Sequence, residues 1–221
     1  MIDEREGAFT ILRATVEAGF EIPVSVAITS ANANDGKTEV AIGLARSFSR
    51  AGYATLLIDA NPTNPSIGPE TVDRTIPVPA NLEDPSALAP VKVNAFLDVA
   101  SIASDALVEA TPAATLRAFF DTLRGRYAVT IWDTGNAFVS PLALQCAAVS
   151  DATFLSVRYG RNPNAQDARI VGMLEAVGAR IAGVVPTAFP PERKRRGDKR
   201  APRFDSGVIA TPVRRAEKST A

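Results

Sequence analysis

The segment whose residue types point most directly to chemistry runs from Ala31 to Thr38 and reads ANANDGKT. Its spacing is that of a phosphate-binding loop, G-x-x-x-x-G-K-[ST], with alanine in place of the first glycine. In such a loop, backbone N–H groups and the amino end of the following helix point at phosphate oxygens. We therefore predict that Lys37 reaches the β- and γ-phosphates of ATP and that the Thr38 hydroxyl binds Mg²⁺. The predicted cofactor-binding residues are Ala31, Asn32, Ala33, Asn34, Asp35, Gly36, Lys37 and Thr38.

The sequence on either side of the loop supports this interpretation. Residues 24–29 have the composition of a buried strand, and residues 37–51 place apolar side chains at helical spacing before Gly52. The loop therefore joins a strand to a helix, as the motif requires. Asn34 tolerates a positive φ better than most residues. The alternative, a solvated strand–helix turn, gives no reason for a lysine and a threonine at these positions.

Two aspartates stand at the ends of other apolar runs. Asp59 closes LLID and Asp133 closes TIWD. Because ligands in open α/β sheets bind beyond the carboxyl ends of the strands, both carboxylates should lie near the loop. One would hold Mg²⁺ through water as the Walker B acid, and the other would orient or deprotonate an attacking hydroxyl or water. The alternative for either acid alone is a helix N-cap. The predicted catalytic residues are Lys37, Asp59 and Asp133, and the predicted metal-binding residues are Thr38, Asp59 and Asp133.

The elements that must position these residues follow from the alternation of apolar runs and helical periods. This alternation predicts an α/β fold, a mostly parallel twisted sheet flanked by helices with the architecture of a P-loop NTPase. Residues 61–95 hold seven prolines and predict an irregular loop with a short helix. The predicted strands are 24–29, 54–59, 97–100, 127–133, 152–157 and 181–185. The predicted helices are 37–51, 141–149, 166–177 and one marked by Leu116, Phe119, Phe120 and Leu123.

Composition narrows the chemistry further. The 221 residues are 46% hydrophobic and 22% charged, which is typical of a globular protein. The chain has no histidine, so triads with histidine and histidine-ligated zinc are excluded. The single Cys146 excludes an internal disulfide and a cysteine-rich metal site. We expect one domain over residues 1–190 and a basic tail over residues 191–221.

The net charge of zero conceals an asymmetry. The tail holds ten Lys and Arg against four Asp and Glu, a charge of +6, so residues 1–190 carry −6. We expect a solvated, disordered tail, and the alternatives are contact with anionic lipid, nucleic acid or an acidic partner. Because Phe204 is the only aromatic residue among these charges, a specific nucleic-acid surface is not indicated. No signal peptide or spanning segment is readable, so we expect a cytoplasmic protein.

The motifs together resemble those of the bacterial tyrosine kinase (BY-kinase) family, within the MinD/ParA-like class of deviant-Walker ATPases. The resemblance covers residues 6–190. The family's loop A-x-P-G-E-G-K-S is similar to ANANDGKT, its D-x-D-x-R element to DANPT at 59–63, and its D-T-P-P element to DTGN at 133–136. Its later strands resemble DATFLSVR at 151–158 and IAGVVP at 181–186, and its N-terminal assembly helix E-A-Y-R-x-L-R resembles GAFTILR at 7–13.

The sequence also departs from the family pattern. The second acid and the arginine of D-x-D-x-R are replaced by Asn61 and Thr63. In the N-terminal motif, Gly7 and Thr10 replace the glutamate and the first arginine, leaving Arg13. The family's tail carries a tyrosine cluster that is phosphorylated between subunits, whereas residues 191–221 contain no tyrosine. Phosphorylation of a tail cluster therefore cannot occur in this chain.

The resemblance implies a cytoplasmic ATPase, peripheral to the inner membrane, that binds ATP and Mg²⁺ and works in exopolysaccharide biosynthesis and export. Its implied partners are an inner-membrane polysaccharide co-polymerase, further copies of itself, and the anionic membrane surface through the tail. No nucleic-acid partner is expected. Two alternatives stay open. One is a non-catalytic scaffold that keeps the fold and binds nucleotide weakly or not at all. The other is a MinD/ParA-type positioning ATPase, although Asn32 occupies the position of that group's signature lysine.

Overall fold

The computed structural model describes residues 4–61, 67, 82, 88–102, 111–162 and 164–188. Thr63 and the predicted tail, residues 191–221, lie outside these ranges. The strands are β1 (Val24–Ser30), β2 (Thr55–Ala60), β3 (Val91–Asn94), β4 (Leu97–Ser101), β5 (Val129–Asn136), β6 (Ala152–Arg158) and β7 (Ile181–Thr187). The helices are α1 (Glu4–Gly19), α2 (Lys37–Arg50), α3 (Ala113–Arg124), α4 (Pro141–Val149) and α5 (Ala165–Ala176). In these ranges no helix is both long and apolar enough to cross a bilayer.

The strands form one sheet in the order β3-β4-β2-β5-β1-β6-β7. Every neighbouring pair is parallel except β3 and β4, which are antiparallel. The prediction of a mostly parallel sheet flanked by helices, with P-loop NTPase architecture, is confirmed. β1 and β5 occupy the interior of the sheet, so the carboxyl ends of β2, β5, β1 and β6 lie side by side.

The interpretation of residues 61–95 as irregular is wrong at β3. This strand is four residues long, and its side chains are mostly exposed. It forms because a turn lets it pair back onto β4, with Lys92 opposite Asp98 and Val91 opposite Val99. A short exposed strand carries no buried alternation, so its local sequence gives little strand signal.

The two faces of the sheet bury different helices. Leu57 and Ile131 belong to the apolar cluster that includes α1 and α2 side chains, whereas Leu56 and Trp132 belong to the cluster that includes α3. Trp132 stacks on Phe120 with ring centroids 3.9 Å apart and planes 2° from parallel. Successive side chains of a strand face opposite sides of the sheet. Trp132 faces α3, so Asp133, the next residue, faces α2.

Helices α1 and α2 pack closely because one residue of α2 has no side chain. A Cβ built on Gly43 would lie 2.3 Å from the ring of Phe9. The exposed Glu6 carboxylate also accepts a hydrogen bond of 2.8 Å from Arg50 at the end of α2. Arg13, in the segment similar to the BY-kinase assembly helix, bonds Glu17 of its own helix at 2.6 Å.

Candidate functional site

The two predicted acids lie beside each other at the carboxyl end of the sheet. Asp59 on β2 is the register partner of Asp133 on β5, and Ile28 on β1 is the register partner of Asp133 on its other side. Register partners on parallel strands point to the same face, so both carboxylates face α2 and the loop that precedes it. Both side chains are fully buried, Asp59 at 1% and Asp133 at 0% exposure.

The loop between β1 and α2 has the backbone that its sequence predicts. Gly36 is the N-cap of α2 and has φ 76° and ψ 23°, in the left-handed region that favours glycine. A Cβ at this position would also lie 2.8 Å from the Thr187 side chain at the end of β7. Backbone conformation and close packing therefore both require glycine here. Ala31 is buried, whereas Ala33 and Asn34 form the exposed tip of the loop.

Lys37 folds its side chain back into the loop. Its Nζ donates to Ser30 Oγ at 3.0 Å and to the Ala33 carbonyl at 3.1 Å, and it lies 3.5 Å from the Asn32 carbonyl. Burial lowers the pKa of Lys37, while the negative charges of Asp133 and Asp35 oppose that shift. The ammonium thus lies at the centre of the predicted site, within electrostatic reach of two carboxylates. Thr38 follows it in the first turn of α2 and is partly exposed.

Asp59 organises the chain that leaves β2. Its Oδ1 accepts from the Asn61 N–H at 3.1 Å and its Oδ2 accepts from the Ile67 N–H at 3.0 Å. Asn61 is nearly buried, and its Oδ1 would lie 3.2 Å from a Cβ on Gly135. The amide that replaces the family's second acid therefore packs against the segment after Asp133. Both carboxylate oxygens of Asp59 thus carry main-chain hydrogen bonds, as a turn-capping aspartate would.

Asp35 is the site residue whose environment sequence reasoning did not predict. Its side chain is buried, at 1% exposure, and it faces the segment after β6, where Arg161 lies. An acid inside a phosphate-binding loop is electrostatically unfavourable unless a cation accompanies it. The presence of Asp35 in the loop therefore indicates that a basic residue lies beside it. The accompanying cation is Arg161, whose Nε lies 3.4 Å from Asp35 Oδ1.

The arrangement fits a magnesium-bound nucleoside polyphosphate. The loop's backbone N–H groups, the α2 amino end and the Lys37 ammonium supply the positive potential that phosphates need. The Thr38 hydroxyl and the Asp133 carboxylate supply oxygen ligands of the kind that Mg²⁺ prefers. The structure brings Lys37, Thr38, Asp59 and Asp133 to one end of the sheet.

Comparisons with known proteins show the family and the fold of this chain. Residues 26–203 match the family described as the CobQ/CobB/MinD/ParA nucleotide binding domain. A 39-residue segment is 51% identical to the tyrosine-protein kinase CpsD of Streptococcus pneumoniae, and it spans 18% of this chain and 17% of that protein. The kinase domain of VpsO superposes with a TM-score of 0.71 at 22% identity, over 85% of this chain and 95% of that one.

A further solved structure bears on the cofactor. Cobyrinic acid a,c-diamide synthase from Mycobacterium smegmatis, which holds an ATP analogue and magnesium, superposes with a TM-score of 0.62. It is 16% identical and covers 75% of this chain and 73% of its own. The fold is therefore shared by tyrosine-kinase domains and by a protein that binds an ATP analogue with magnesium.

Proposed function

This chain belongs to the CobQ/CobB/MinD/ParA nucleotide-binding family, and from that premise we propose that it is a Mg-ATP-binding, BY-kinase-like ATPase of exopolysaccharide biosynthesis and export. The observation that carries the proposal is the Lys37 ammonium, which lies inside the loop 3.1 Å from the Ala33 carbonyl. From there it can exchange its carbonyl contacts for phosphate oxygens by rotating its side chain. Asp133, fully buried at the end of the neighbouring strand, faces the same space.

Each predicted residue has a role in this proposal. The loop amides and Lys37 would bind and orient the phosphates, and the Thr38 hydroxyl and the Asp133 carboxylate would hold Mg²⁺. Bound Mg²⁺ supplies charge neutralisation at the β- and γ-phosphates. Asp59 lies beside Asp133 and would orient an attacking hydroxyl or water, while its hydrogen bonds to residues 61 and 67 fix the wall of the site.

The biological setting is proposed from the relatives and from charge. CpsD is named as a tyrosine-protein kinase, and the resemblance to the BY-kinase family implies a membrane polysaccharide co-polymerase as a partner. We propose such a co-polymerase as the partner, with the chain held peripherally at the inner membrane and able to associate with copies of itself. The +6 tail would add attraction to the anionic leaflet, on the order of 1 kcal/mol per basic residue near the surface.

Only three tyrosines could accept phosphate within the chain. Tyr127 is nearly buried and donates to Asp98 at 2.9 Å, and Tyr53 packs edge-on against Phe48 at 5.5 Å. Tyr159, directly after β6, is 54% exposed. If the protein phosphorylates itself on tyrosine, Tyr159 is the acceptor that another copy can reach.

The deciding experiment follows phosphate release and phosphotyrosine together on purified protein with Mg-ATP. It is run with and without the cytoplasmic segment of a polysaccharide co-polymerase. We expect phosphate release that is lost in Lys37→Met, since the lysine binds the phosphates. The control is Lys92→Met, which removes an exposed lysine from β3.

The products separate the candidate functions. Phosphotyrosine on Tyr159 or on a partner, absent in Lys37→Met, means a kinase, and phosphate release alone means an ATPase switch. ATP binding without either product means a nucleotide-binding scaffold, a candidate favoured by Asn61 in place of the second acid. A wild-type protein that binds no ATP, or a Lys37→Met protein that binds it equally well, contradicts the site assignment.

A further inference from the structure

Asp35 is held at both its backbone carbonyl and its carboxylate. Its backbone carbonyl accepts hydrogen bonds from the hydroxyls of Ser156 on β6 and Thr187 on β7, the latter at 2.9 Å. Its carboxylate accepts from Asn32 Nδ2 at 3.0 Å and lies 3.4 Å from the Arg158 N–H. These contacts fix the residue that precedes the N-cap of α2.

Arg161 connects this carboxylate to α5. Its Nη2 lies 3.5 Å from Asp35 Oδ2, and its guanidinium also donates to both oxygens of Asp167 at 2.6 and 2.8 Å. Asp167 is itself fixed, because it forms the capping box of α5 with Asn164. Asn164 Nδ2 in turn lies 3.4 Å from Asn32 Oδ1 in the loop. The amino end of α5 therefore reaches the loop through two routes.

The charges explain why such a connection matters. A buried carboxylate within a phosphate-binding loop repels the polyanion that the loop must admit, and it is costly to bury without a partner. The guanidinium of Arg161 is the cation that contacts Asp35, and it is only one-fifth exposed. Lys37, the other nearby cation, must be available to the phosphates. Because Arg161 balances the charge of Asp35, the Lys37 ammonium stays available to the phosphates.

We propose that Arg161 is a positioning residue of the nucleotide site, which neutralises Asp35 and ties the phosphate-binding loop to α5 so that the loop admits a nucleoside polyphosphate. This inference rests on the proposed function, because it assigns a determinant of affinity to the same site. It adds the segment after β6 to that site, although no motif in the sequence marks Arg161 as part of it.

The test measures Mg-ATP, Mg-ADP and AMP binding to the full chain by titration calorimetry. Arg161→Met should weaken Mg-ATP binding by about tenfold or more, because it leaves the Asp35 charge uncompensated. The loss should decrease from ATP to ADP to AMP, since repulsion grows with ligand charge. Adding Asp35→Asn to Arg161→Met should restore most of the lost affinity, because the repelling charge is then gone.

Two further variants keep the test decisive. Arg161→Lys retains the charge and should keep Mg-ATP affinity within about threefold of wild type, even if Arg161→Met folds poorly. Arg124→Met removes an arginine that lies 2.6 Å from Asp151 at the other end of the sheet, the same distance as between Arg161 and Asp167. It should lower the unfolding temperature without changing nucleotide affinity.

The outcomes are distinguishable. A wild-type chain that binds no nucleotide overturns the proposed function and the role of Arg161 with it. A wild-type chain that binds Mg-ATP while Arg161→Met binds it equally well overturns this inference alone. Equal losses for ATP, ADP and AMP, or a double variant no better than Arg161→Met, would mean that Arg161 only stabilises the fold and would also overturn it.

Discussion

Two arginine–aspartate clusters lie at opposite ends of the same sheet, and they are built differently. At the amino end, Arg124 of α3 bonds both oxygens of Asp151 at 2.6 and 2.7 Å, and Asp151 also accepts from the Ser25 N–H at 2.7 Å. At the carboxyl end, Arg161 pairs with Asp167 at 2.6 Å and with Asp35 at 3.4 Å. Each arginine lies near two aspartates, but the Asp35 side chain is 2% exposed, whereas that of Asp121, 3.8 Å from Arg124, is 69% exposed.

The charged groups of the amino-end cluster are all partly exposed to water. Arg124 and Asp151 are each about 30% exposed, Asp121 beside Arg124 is 69% exposed, and the remaining bonds go to Ser25 and the Pro23 carbonyl. The carboxyl end instead buries Asp59 and Asp133, with Asp35 and Lys37 beside them. Burying several charged groups close together costs stability, and such clusters are typical of functional sites. We conclude that the amino end stabilises the fold and that the carboxyl end is built for a charged ligand.

The largest effect that would distinguish the two ends of the sheet is expected from Asp133→Asn. The substitution removes the buried charge that would hold the metal, so Mg-dependent ATP turnover should fall by about 100-fold or more. Metal-free nucleotide binding should change by less than about threefold, because no phosphate contact is lost. Steady-state phosphate release and metal-free titration measure the two effects.

The matched control for that variant is Asp98→Asn, which removes a carboxylate of β4 that bonds Tyr127 at 2.9 Å. It should leave turnover unchanged. Equal losses of turnover and metal-free binding in Asp133→Asn would show that Asp133 is structural, and the functional distinction between the two ends would fail.

Most of this functional end could be predicted from sequence, because its parts are locally encoded. The loop spacing from Ala31 to Thr38 and the acids that end two apolar runs predict the candidate site, and parallel strands then bring Asp59 and Asp133 into register. The Arg161–Asp35 pair could not be predicted in the same way. The two residues are 126 positions apart and meet only because β6 lies beside β1. No local pattern specifies that neighbourhood, just as none specified β3.

At the amino end, Arg124→Met should lower stability. It leaves Asp151 without its cation, and after allowance for about 30% exposure of both side chains the cost should be about 1–2 kcal/mol. Urea denaturation measures this loss, and Mg-ATP affinity should not change. Arg117→Met, at an exposed position of the same helix, should stay within about 0.5 kcal/mol of wild type. Loss of nucleotide affinity in Arg124→Met would contradict the division between the two ends.

Acid should weaken the amino-end cluster in a defined pH range. Burial raises the pKa of Asp151, but hydrogen bonds from Arg124 and Ser25 outweigh it, so the pKa lies below the ordinary 3.8. A carboxyl group with a lowered native pKa stabilises the fold above the unfolded-state pKa and loses that contribution as the pH falls through the native one. Unfolding free energy measured from about pH 5 to pH 2 should therefore fall more steeply in wild type than in Asp151→Asn. Parallel curves would mean that the Asp151 charge contributes nothing.

The smallest expected effect concerns Tyr127, which begins the approach to β5 at the amino end. Burial, together with the hydrogen bond to Asp98, raises the pKa of its phenol to about 12. Alkaline absorbance titration should show a component near this value that disappears in Tyr127→Phe and persists in Tyr159→Phe. Losing this partly buried hydrogen bond should cost only about 0.5–1 kcal/mol of stability and no nucleotide affinity. A shift in Mg-ATP binding would show that strain at the amino end is transmitted along β5 to Asp133, so the two ends would not be independent.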